Sequence, residues 1–288
     1  MEWETAPEGT RMVNRIAPKP SANAASPRIG AVQYLNTKPL VYGLAARGID
    51  VAYDLPSRLA DQLSAGLLDV ALIPSIELFR GDAYRVVSDA CIGCRGPVMS
   101  VKLYFRTQPG RVVRLAVDEG SRTSATLARI LLAERHGVVP QVEVLPIGAG
   151  LSDTSADAVL LIGDRAIGSQ RGSFQLIWDL GDEWCRWTGL PFVFAVWAAR
   201  PGIDVRPIAA LLAAARDAGR ANLASIAAAE AASHGLTVPQ CLSYLRDNLH
   251  YELGPRERAA LVRFYRHAET IALAPTGFDV ATALPSSV

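Results

Sequence analysis

Small polar side chains occur at four places where a predicted strand ends and a predicted helix begins. They are Asn36 and Thr37, then Ser75, then Ser121, Thr123 and Ser124, and finally Asp164 with Arg165. The first N–H groups of a helix have no internal partner and carry partial positive charge, which favours a carboxylate or phosphate. In open α/β sheets, ligands bind beyond the carboxyl ends of the strands. The four junctions together therefore predict a cleft that binds a small anion.

The most informative stretch is 113–134, VRLAVDEGSRTSATLARILLAE. Its first five residues form a mainly apolar run that predicts a buried strand, whereas the apolar residues near its end recur three and four apart, as in a helix. Gly120 permits a sharp bend between them. The helix is expected to begin at Ser121 or Arg122, with Ser121 favoured as the N-cap. A capping role and a ligand-binding role both remain open for this serine.

Charged residues near these junctions could add to an anion site. Arg165 or Lys38 could pair with a ligand carboxylate, although an exposed salt bridge is the commoner role for each. Asp164 is more often a helix cap than a catalytic acid. The sequence contains no nucleophile elbow, phosphate-binding loop, dinucleotide fingerprint or H-E-x-x-H motif. We therefore expect an enzyme, if it is one, to orient a reactive small molecule without a cofactor or a covalent intermediate.

The overall charge is nearly balanced, with 29 Lys and Arg against 28 Asp and Glu, and no basic block occurs. Nucleic acid and anionic membranes are therefore not expected as partners. The longest strongly apolar run, Phe192 to Ala199, is too short to span a bilayer. The single C-x-x-C pair at Cys91 and Cys94 has no matching second pair, and the four histidines are far apart, so no metal site is expected.

The domain organisation follows from the order of the predicted elements. Residues 1–27 are rich in Pro, Ala and Ser, and we interpret them as a disordered leader without the apolar core of a secretory signal, which predicts a cytoplasmic protein. Strands and helices alternate until about residue 200, and only helices follow, with a kink expected near Gly219. This order predicts two α/β lobes, one formed by 28–107 plus 200–288 and the other by 108–199.

Five short motifs resemble chorismate dehydratase of the futalosine route to menaquinone, in the same order and spacing. They are YLNTKPL at 34–40, ALIPS at 71–75, RGPVMSV at 95–101, DEGSRTS at 118–124 and GDRAI at 163–167. The resemblance covers about residues 28–273, and the combination is specific although each motif is short. The sequence departs from the pattern at Cys91 and Cys94, where small residues are expected, and in its long leader.

The resemblance implies a two-lobed α/β fold similar to type 2 periplasmic binding proteins, with the ligand in an interlobe cleft. It implies a hydro-lyase that converts chorismate to 3-(1-carboxyvinyloxy)benzoate. By the matching motifs, Asn36 and Ser100 would lie nearest the reacting ring, and Ser121, Thr123 and Ser124 would hold a carboxylate. The residues Thr37, Ser75, Asp164 and Arg165 complete the predicted substrate-binding set. No motif residue is an obvious base, so the enolpyruvyl carboxylate of the substrate is a candidate proton acceptor.

Two other functions fit the same scaffold. A solute-binding protein would share the fold, but an exported receptor needs a signal sequence or lipid anchor. A relative of 1,4-dihydroxy-6-naphthoate synthase, which acts later in the same pathway, would carry a different first motif and a functional histidine. The four histidines of this chain lie outside every predicted polar strand end. Chorismate dehydratase activity is therefore the favoured hypothesis, and the sequence leaves the oligomeric state open.

Overall fold

A computed structural model describes residues 27–80, 83–168 and 172–284. The leader expected at 1–27 lies outside these ranges apart from Pro27. The strands within them are β1 (Ile29–Val32), β2 (Val51–Asp54), β3 (Val70–Pro74), β4 (Arg85–Cys94), β5 (Val101–Phe105), β6 (Arg114–Asp118), β7 (Gln141–Leu145), β8 (Ala158–Ile162), β9 (Leu176–Asp179), β10 (Phe192–Ala199) and β11 (His250–Glu252).

The α-helices of the same ranges are α1 (Pro56–Ser64), α2 (Thr123–His136), α3 (Asp164–Ile167), α4 (Leu180–Thr188), α5 (Arg206–Ala221), α6 (Leu223–Glu230), α7 (Val238–Ser243), α8 (Pro255–Thr270) and α9 (Val280–Ala283). Short 3-10 helices span Leu35–Val41, Ala45–Arg47, Ser75–Phe79, Pro109–Arg111, Leu151–Asp153 and Ala232–His234. Two of them, at Leu35–Val41 and Ser75–Phe79, follow the ends of β1 and β3, so predicted polar junctions are carried by 3-10 turns.

The strands form a large and a small sheet. The large sheet has the order β11-β4-β10-β3-β1-β2, and the small sheet has the order β7-β6-β8-β5-β9. In the large sheet β1 is parallel to β2 and β3, and in the small sheet β6 is parallel to β7 and β8. Parallel pairing brings the carboxyl ends of neighbouring strands to one edge of each sheet. The junctions after β1 and β3, and those after β6 and β8, are therefore grouped.

The strand pairing moves both expected lobe boundaries. β5 pairs with β8 and β9, so it belongs to the small sheet although the sequence placed it in 28–107. β10 lies between β3 and β4 in the large sheet although it was expected in 108–199. The chain thus crosses between the sheets at 95–100 and 189–191. The unbroken apolar sequence of β10 reflects its central position, because all eight of its residues are buried.

The C-terminal helices pack on the large sheet. Phe192 of β10 makes edge-to-face contacts with Trp184 of α4 and Phe264 of α8, with ring centroids 5.2 and 5.0 Å apart. Helix α5 packs against β4 and against the 3-10 helix Leu35–Val41. Aromatic pairs of this geometry contribute stability beyond the area that they bury. The helices therefore form the layer that supports the residues after β1.

Gly219 of α5 packs directly against the 3-10 helix Leu35–Val41. A Cβ atom built on Gly219 would lie 2.0 Å from the carbonyl oxygen of Pro39. The helix continues to Ala221, and the break before α6 falls at Asn222 rather than at the glycine. Gly219 therefore permits close packing and does not interrupt the helix.

Replacing Gly219 by alanine should destabilise the protein, against the usual effect of this change. Alanine in place of a helix-interior glycine usually stabilises by about 1 kcal/mol, but here the Cβ must displace the backbone of Pro39. We expect the free energy of unfolding, measured by urea denaturation, to fall by about 1–3 kcal/mol. Gly110→Ala is the control, because the nearest atom to its Cβ would be 4.0 Å away. A more stable Gly219→Ala variant would contradict this packing.

Candidate functional site

A cleft lies between the two sheets where their polar strand ends meet. The space between its walls is about 500 Å³, which includes the open solvent at its mouth. Its polar lining consists of Tyr34, Asn36, Ser100, Ser121, Arg122, Thr123 and Ser124. Its apolar lining includes Val32, Pro56, Ile92, Ile162 and Phe194. Both sheets contribute to each set, so the predicted junctions do meet in one cleft.

Five of the nine residues predicted for the site line this cleft. They are Asn36, Ser100, Ser121, Thr123 and Ser124. The other four residues are Thr37, Ser75, Asp164 and Arg165, and none of them is part of the lining. Their side chains contact other protein groups behind the cleft wall.

The turn between β6 and α2 is built around the carboxylate of Asp118, which is fully buried. Oδ1 accepts a hydrogen bond from the N–H of Gly120 at 3.0 Å, and Oδ2 accepts one from the N–H of Ile162 at 3.3 Å. The guanidinium of Arg165 lies 2.5 Å from Oδ2 and compensates the buried charge. Arg165 therefore supports this turn. It was predicted to line the cleft, but it does not.

Ser121 does not cap α2 as predicted. The helix begins at Thr123, Arg122 occupies the N-cap position, and no side chain caps the helix. The hydroxyl of Ser121 is buried, and among the described residues it has no hydrogen-bond partner. Buried polar atoms are normally satisfied, and the first N–H groups of a helix also lack internal partners. An oxyanion in the cleft would satisfy both.

The start of α2 contacts the large-sheet side of the cleft through Thr123. Its Oγ1 accepts a hydrogen bond from the N–H of Ile76 at 3.2 Å and lies 3.4 Å from Oγ of Ser75. Ser75 itself donates to the carbonyl oxygen of Val193 at 2.7 Å. Ser75 therefore joins β3, β10 and α2, which explains why it is buried outside the lining.

Ion pairs connect the same two sides. The guanidinium of Arg122 lies 2.7 Å from the carboxylate of Asp61 and 3.3 Å from that of Glu77. Arg58 at the start of α1 pairs with Glu119 in the turn before α2 at 3.1 Å. Arg122 is thus a cation of the cleft wall whose charge is already compensated by carboxylates from the large-sheet side.

Asn36 is held by its neighbours after β1. The hydroxyl of Thr37 donates to Oδ1 of Asn36 at 3.3 Å. The N–H of Leu35 donates to Oδ1 of Asp164 at 3.0 Å, and Nε2 of His234 lies 3.4 Å from Oδ2. Burial raises the pKa of Asp164, and the hydrogen bond from Leu35 opposes that shift. Thr37 and Asp164 therefore position the residues around Asn36, and Asp164 links the small sheet to them.

Ser100 follows a loop whose backbone is fixed by Asp179, a residue that the sequence analysis missed. The carboxylate of Asp179 accepts hydrogen bonds from the N–H groups of Val98 at 2.9 Å and Met99 at 2.7 Å. Met99 has a φ of 62°, a left-handed conformation uncommon for a residue with a side chain. Burial raises the pKa of Asp179, whereas the backbone hydrogen bonds lower it. No local pattern signals this role, because Asp179 lies far along the chain from the loop.

Tyr34 lines the cleft, but the predicted set of site residues omitted it although it opens the first motif. Its ring packs against Gly163, where a Cβ would lie 2.7 Å from the ring carbons and where φ is +64°. Its hydroxyl lies beside Gly120, whose Cβ would be 3.2 Å away. Burial raises the pKa of Tyr34 well above its ordinary value. Glycine is therefore required at 163, where this ring crosses to the small sheet, and the space beside Gly120 is tight.

The four cysteines are free thiols, three of them buried and Cys185 partly buried. Cys91 and Cys94 are both buried, and the thiol of Cys94 interacts with Cys185 on α4 rather than with Cys91. Burial raises the pKa of Cys94. Among the described residues, no group of three or more His, Cys, Asp and Glu side chains could hold a metal ion. No helix in the described ranges has the length and apolar content to cross a membrane.

The sequence matches the family model described as menaquinone biosynthesis over residues 27–270. The chain belongs to this menaquinone biosynthesis family. A chorismate dehydratase from Thermus thermophilus is 32% identical over 257 residues, which cover 82% of this chain and 93% of the relative. The resemblance inferred from the five motifs is thus confirmed.

Solved structures show the fold. A protein from Archaeoglobus fulgidus is 18% identical with a TM-score of 0.64, covering 86% of this chain and 98% of its own. The alkanesulfonate-binding protein from Xanthomonas axonopodis, bound to MOPS, is 15% identical with a TM-score of 0.62, covering 92% and 99%. A Candida albicans protein described as having the generic periplasmic binding protein fold is 12% identical with a TM-score of 0.57, covering 91% and 96%. The predicted α/β fold, two-lobed and similar to type 2 periplasmic binding proteins, is confirmed.

Replacing Asp179 by asparagine should loosen the loop before Ser100. The amide keeps the shape of the side chain, but its NH₂ group cannot accept the hydrogen bond that one of the two backbone N–H groups donates. We expect the free energy of unfolding to fall by about 1–3 kcal/mol, measured by urea denaturation. Asp204→Asn is the control, because this carboxylate is exposed and pairs only locally with Arg206. Equal denaturation midpoints for the two variants would contradict the role of Asp179.

Proposed function

We propose that the protein is a chorismate dehydratase that forms 3-(1-carboxyvinyloxy)benzoate on the futalosine route to menaquinone. The family membership and the Thermus thermophilus relative support this proposal. The observation that carries it is the unpartnered buried hydroxyl of Ser121 at the start of α2, in the same cleft as Asn36 and Ser100. In this proposal the ring carboxylate of chorismate binds at Ser121 and the start of α2, and the reacting ring lies beside Asn36 and Ser100.

The proposed reaction is a hydro-lyase elimination that balances without a redox partner. The hydrogen on C3 leaves as a proton, the hydroxyl on C4 leaves with the electron pair of its bond, and the products are water and an aromatic ring. No electrons pass to or from another molecule, so no cofactor is part of the proposal. Because aromatisation supplies driving force, the protein needs to orient the substrate and stabilise developing charge.

The seat at α2 would stabilise that charge. Loss of the C3 proton creates a carbanion that is conjugated through the C1–C2 double bond with the ring carboxylate. We place this carboxylate at Ser121, Ser124 and the first N–H groups of α2, where fixed dipoles meet the increasing negative charge. The apolar residues of the wall exclude water and strengthen these interactions. In this arrangement, the hydrogen-bond donors of the cleft lie where negative charge increases in the transition state.

The proton acceptor in this proposal is the enolpyruvyl carboxylate of the substrate. Within the described part of the chain, the residues that line the cleft include no carboxylate, imidazole or lysine amine. Asn36 and Ser100 would orient the ring so that the C3 hydrogen faces the enolpyruvyl carboxylate and the C4 hydroxyl faces a hydrogen-bond donor. As an enzyme of small-molecule biosynthesis, the protein would act in the cytoplasm.

The two rival functions receive less support. None of the four histidines lines the cleft, and His234 instead contacts Asp164 behind its wall. This arrangement disfavours a functional histidine of the kind expected from a dihydroxynaphthoate synthase. A pure binding protein would need the anion seat, but it would not need Asn36 and Ser100 on the opposite part of the cleft.

Incubation of the purified protein with chorismate should yield the aromatic enol ether, detected by liquid chromatography and mass spectrometry. Asn36→Ala should reduce kcat by about 10²–10³-fold, comparable to loss of one donor aimed at developing charge. Calorimetry should show that this variant still binds the product. Chorismate recovered unchanged would refute the proposed activity, and full turnover by Asn36→Ala would refute the role of this residue.

Ser121→Ala should weaken the carboxylate seat. Loss of a hydrogen bond to a charged group costs about 1.5–3 kcal/mol, so we expect kcat/KM to fall by about 10–100-fold. The fold decrease in kcat/KM should exceed the fold increase in KM, because the hydrogen bond from Ser121 strengthens as negative charge develops in the transition state. Ser152→Ala, an exposed serine of the small-sheet part, is the control and should leave both constants unchanged. Equal constants for the two variants would place the carboxylate elsewhere.

A further inference from the structure

Tyr244 is a fully buried tyrosine that the proposed reaction leaves without a role. Its exposed fraction is 0%, and within the described residues its hydroxyl has no partner in hydrogen-bond geometry. It begins the π-helical turn Tyr244–Asn248, which directly follows α7. Turns of this kind are rare and often occur at functional sites.

The Tyr244 hydroxyl faces the two side chains proposed to act on the ring. Ser100 and Asn36 are near enough to interact with the phenol, and this interaction opposes the increase in the pKa of Tyr244 that burial causes. Tyr244 itself does not line the cleft. It therefore lies behind Ser100 and Asn36, where it can act on them but does not touch the ligand.

The same turn is tied to the loop that carries Ser100. The side-chain amide of Asn248, the last residue of the turn, donates to the carbonyl oxygen of Pro97 at 2.9 Å. The loop is thus held by Asp179 from the small sheet and by this turn from the C-terminal helices. This contact ties the turn that begins with Tyr244 to the loop that precedes Ser100.

Fold stability does not explain this hydroxyl. A buried hydroxyl without a hydrogen bond destabilises the folded state, and phenylalanine would fill the same space without that cost. Residues that break a local rule of stability are often retained for function.

We propose that Tyr244 is a positioning residue whose hydroxyl interacts with Ser100 and Asn36 and sets their orientation toward the ring. This inference rests on the proposed function, because it assigns Tyr244 to the reaction of that site. The high pKa keeps the phenol neutral, so it can donate one hydrogen bond and accept another.

The test compares Tyr244→Phe with Tyr251→Phe. Tyr251 is a matched control, since it is 3% exposed and its hydroxyl also lacks a partner among the described residues. Tyr244→Phe should lower kcat by about 10–100-fold, as expected when reacting groups are misplaced slightly, with little change in KM. Both variants should unfold at or above the wild-type temperature, and Tyr251→Phe should retain the wild-type kcat. An unchanged kcat in Tyr244→Phe, or equal losses in both variants, would overturn the inference.

A double-mutant cycle separates this inference from the proposed function. The unfolding temperatures of wild type, Tyr244→Phe, Ser100→Ala and the double variant report coupling between the two side chains without any turnover. We expect the changes in unfolding temperature to be non-additive for Tyr244→Phe with Ser100→Ala. For Tyr251→Phe with Ser100→Ala, we expect them to be additive. If the wild type leaves chorismate unchanged, the proposed function fails. Additive shifts for Tyr244 and Ser100 would then still overturn the positioning role, and non-additive shifts would support it.

Discussion

The contact between the start of α2 and the large-sheet side of the cleft sets the geometry on which the site depends. The hydroxyl of Thr123 accepts a hydrogen bond from Ile76, and Arg122 pairs with Asp61 and Glu77. Without these contacts, the anion seat on the small sheet and Asn36 on the large sheet would have no fixed separation. Orientation of a bound molecule loses its effect when reacting groups move by about 1 Å. The cross-sheet contacts are therefore part of the site, although they bind no ligand.

Buried carboxylates fix the loops that carry the site. Asp118, Asp164 and Asp179 each accept hydrogen bonds from backbone N–H groups that no sheet or helix satisfies. Burial of a carboxylate is costly, and backbone donors offset that cost only while the loop keeps its conformation. Each carboxylate therefore favours one loop geometry over others. This rigidity is what a site requires when it orients a substrate and supplies no base of its own.

The sequence predicted the fold, the cleft and the five lining residues, because these follow from strand ends and from short motifs. It could not separate lining residues from supporting ones. A small polar side chain after a strand can line the cleft, as Ser121 does, or hold the junction from behind, as Ser75 and Thr37 do. Both roles need the same donors and acceptors. Only the direction of the side chain separates them, and that direction depends on tertiary packing.

The sequence also does not show which distant strands pair with each other. The alternating pattern of β5 and the apolar run of β10 predict strands, but the pattern of a strand does not name its partner. The boundaries were therefore placed at the polar linkers near 107 and 199, whereas the chain crosses between the sheets at 95–100 and 189–191. The support of the loop before Ser100 by Asp179 depends on this pairing, since β9 lies next to β5 in the small sheet and Asp179 is opposite Lys102.

The compensated charge of Arg122 determines how the cleft can act on an anion. Because Asp61 and Glu77 already pair with this cation, the positive potential of the seat comes from backbone N–H groups and hydroxyls. Fixed dipoles cost little in the empty cleft, whereas an uncompensated buried cation would be costly. Such a seat suffices to bind an anion, and a binding protein could use it unchanged. Catalysis needs interactions that are stronger in the transition state than in the ground state, so under the proposed function the difference between a receptor and an enzyme on this fold lies in Asn36, Ser100 and the groups that orient them.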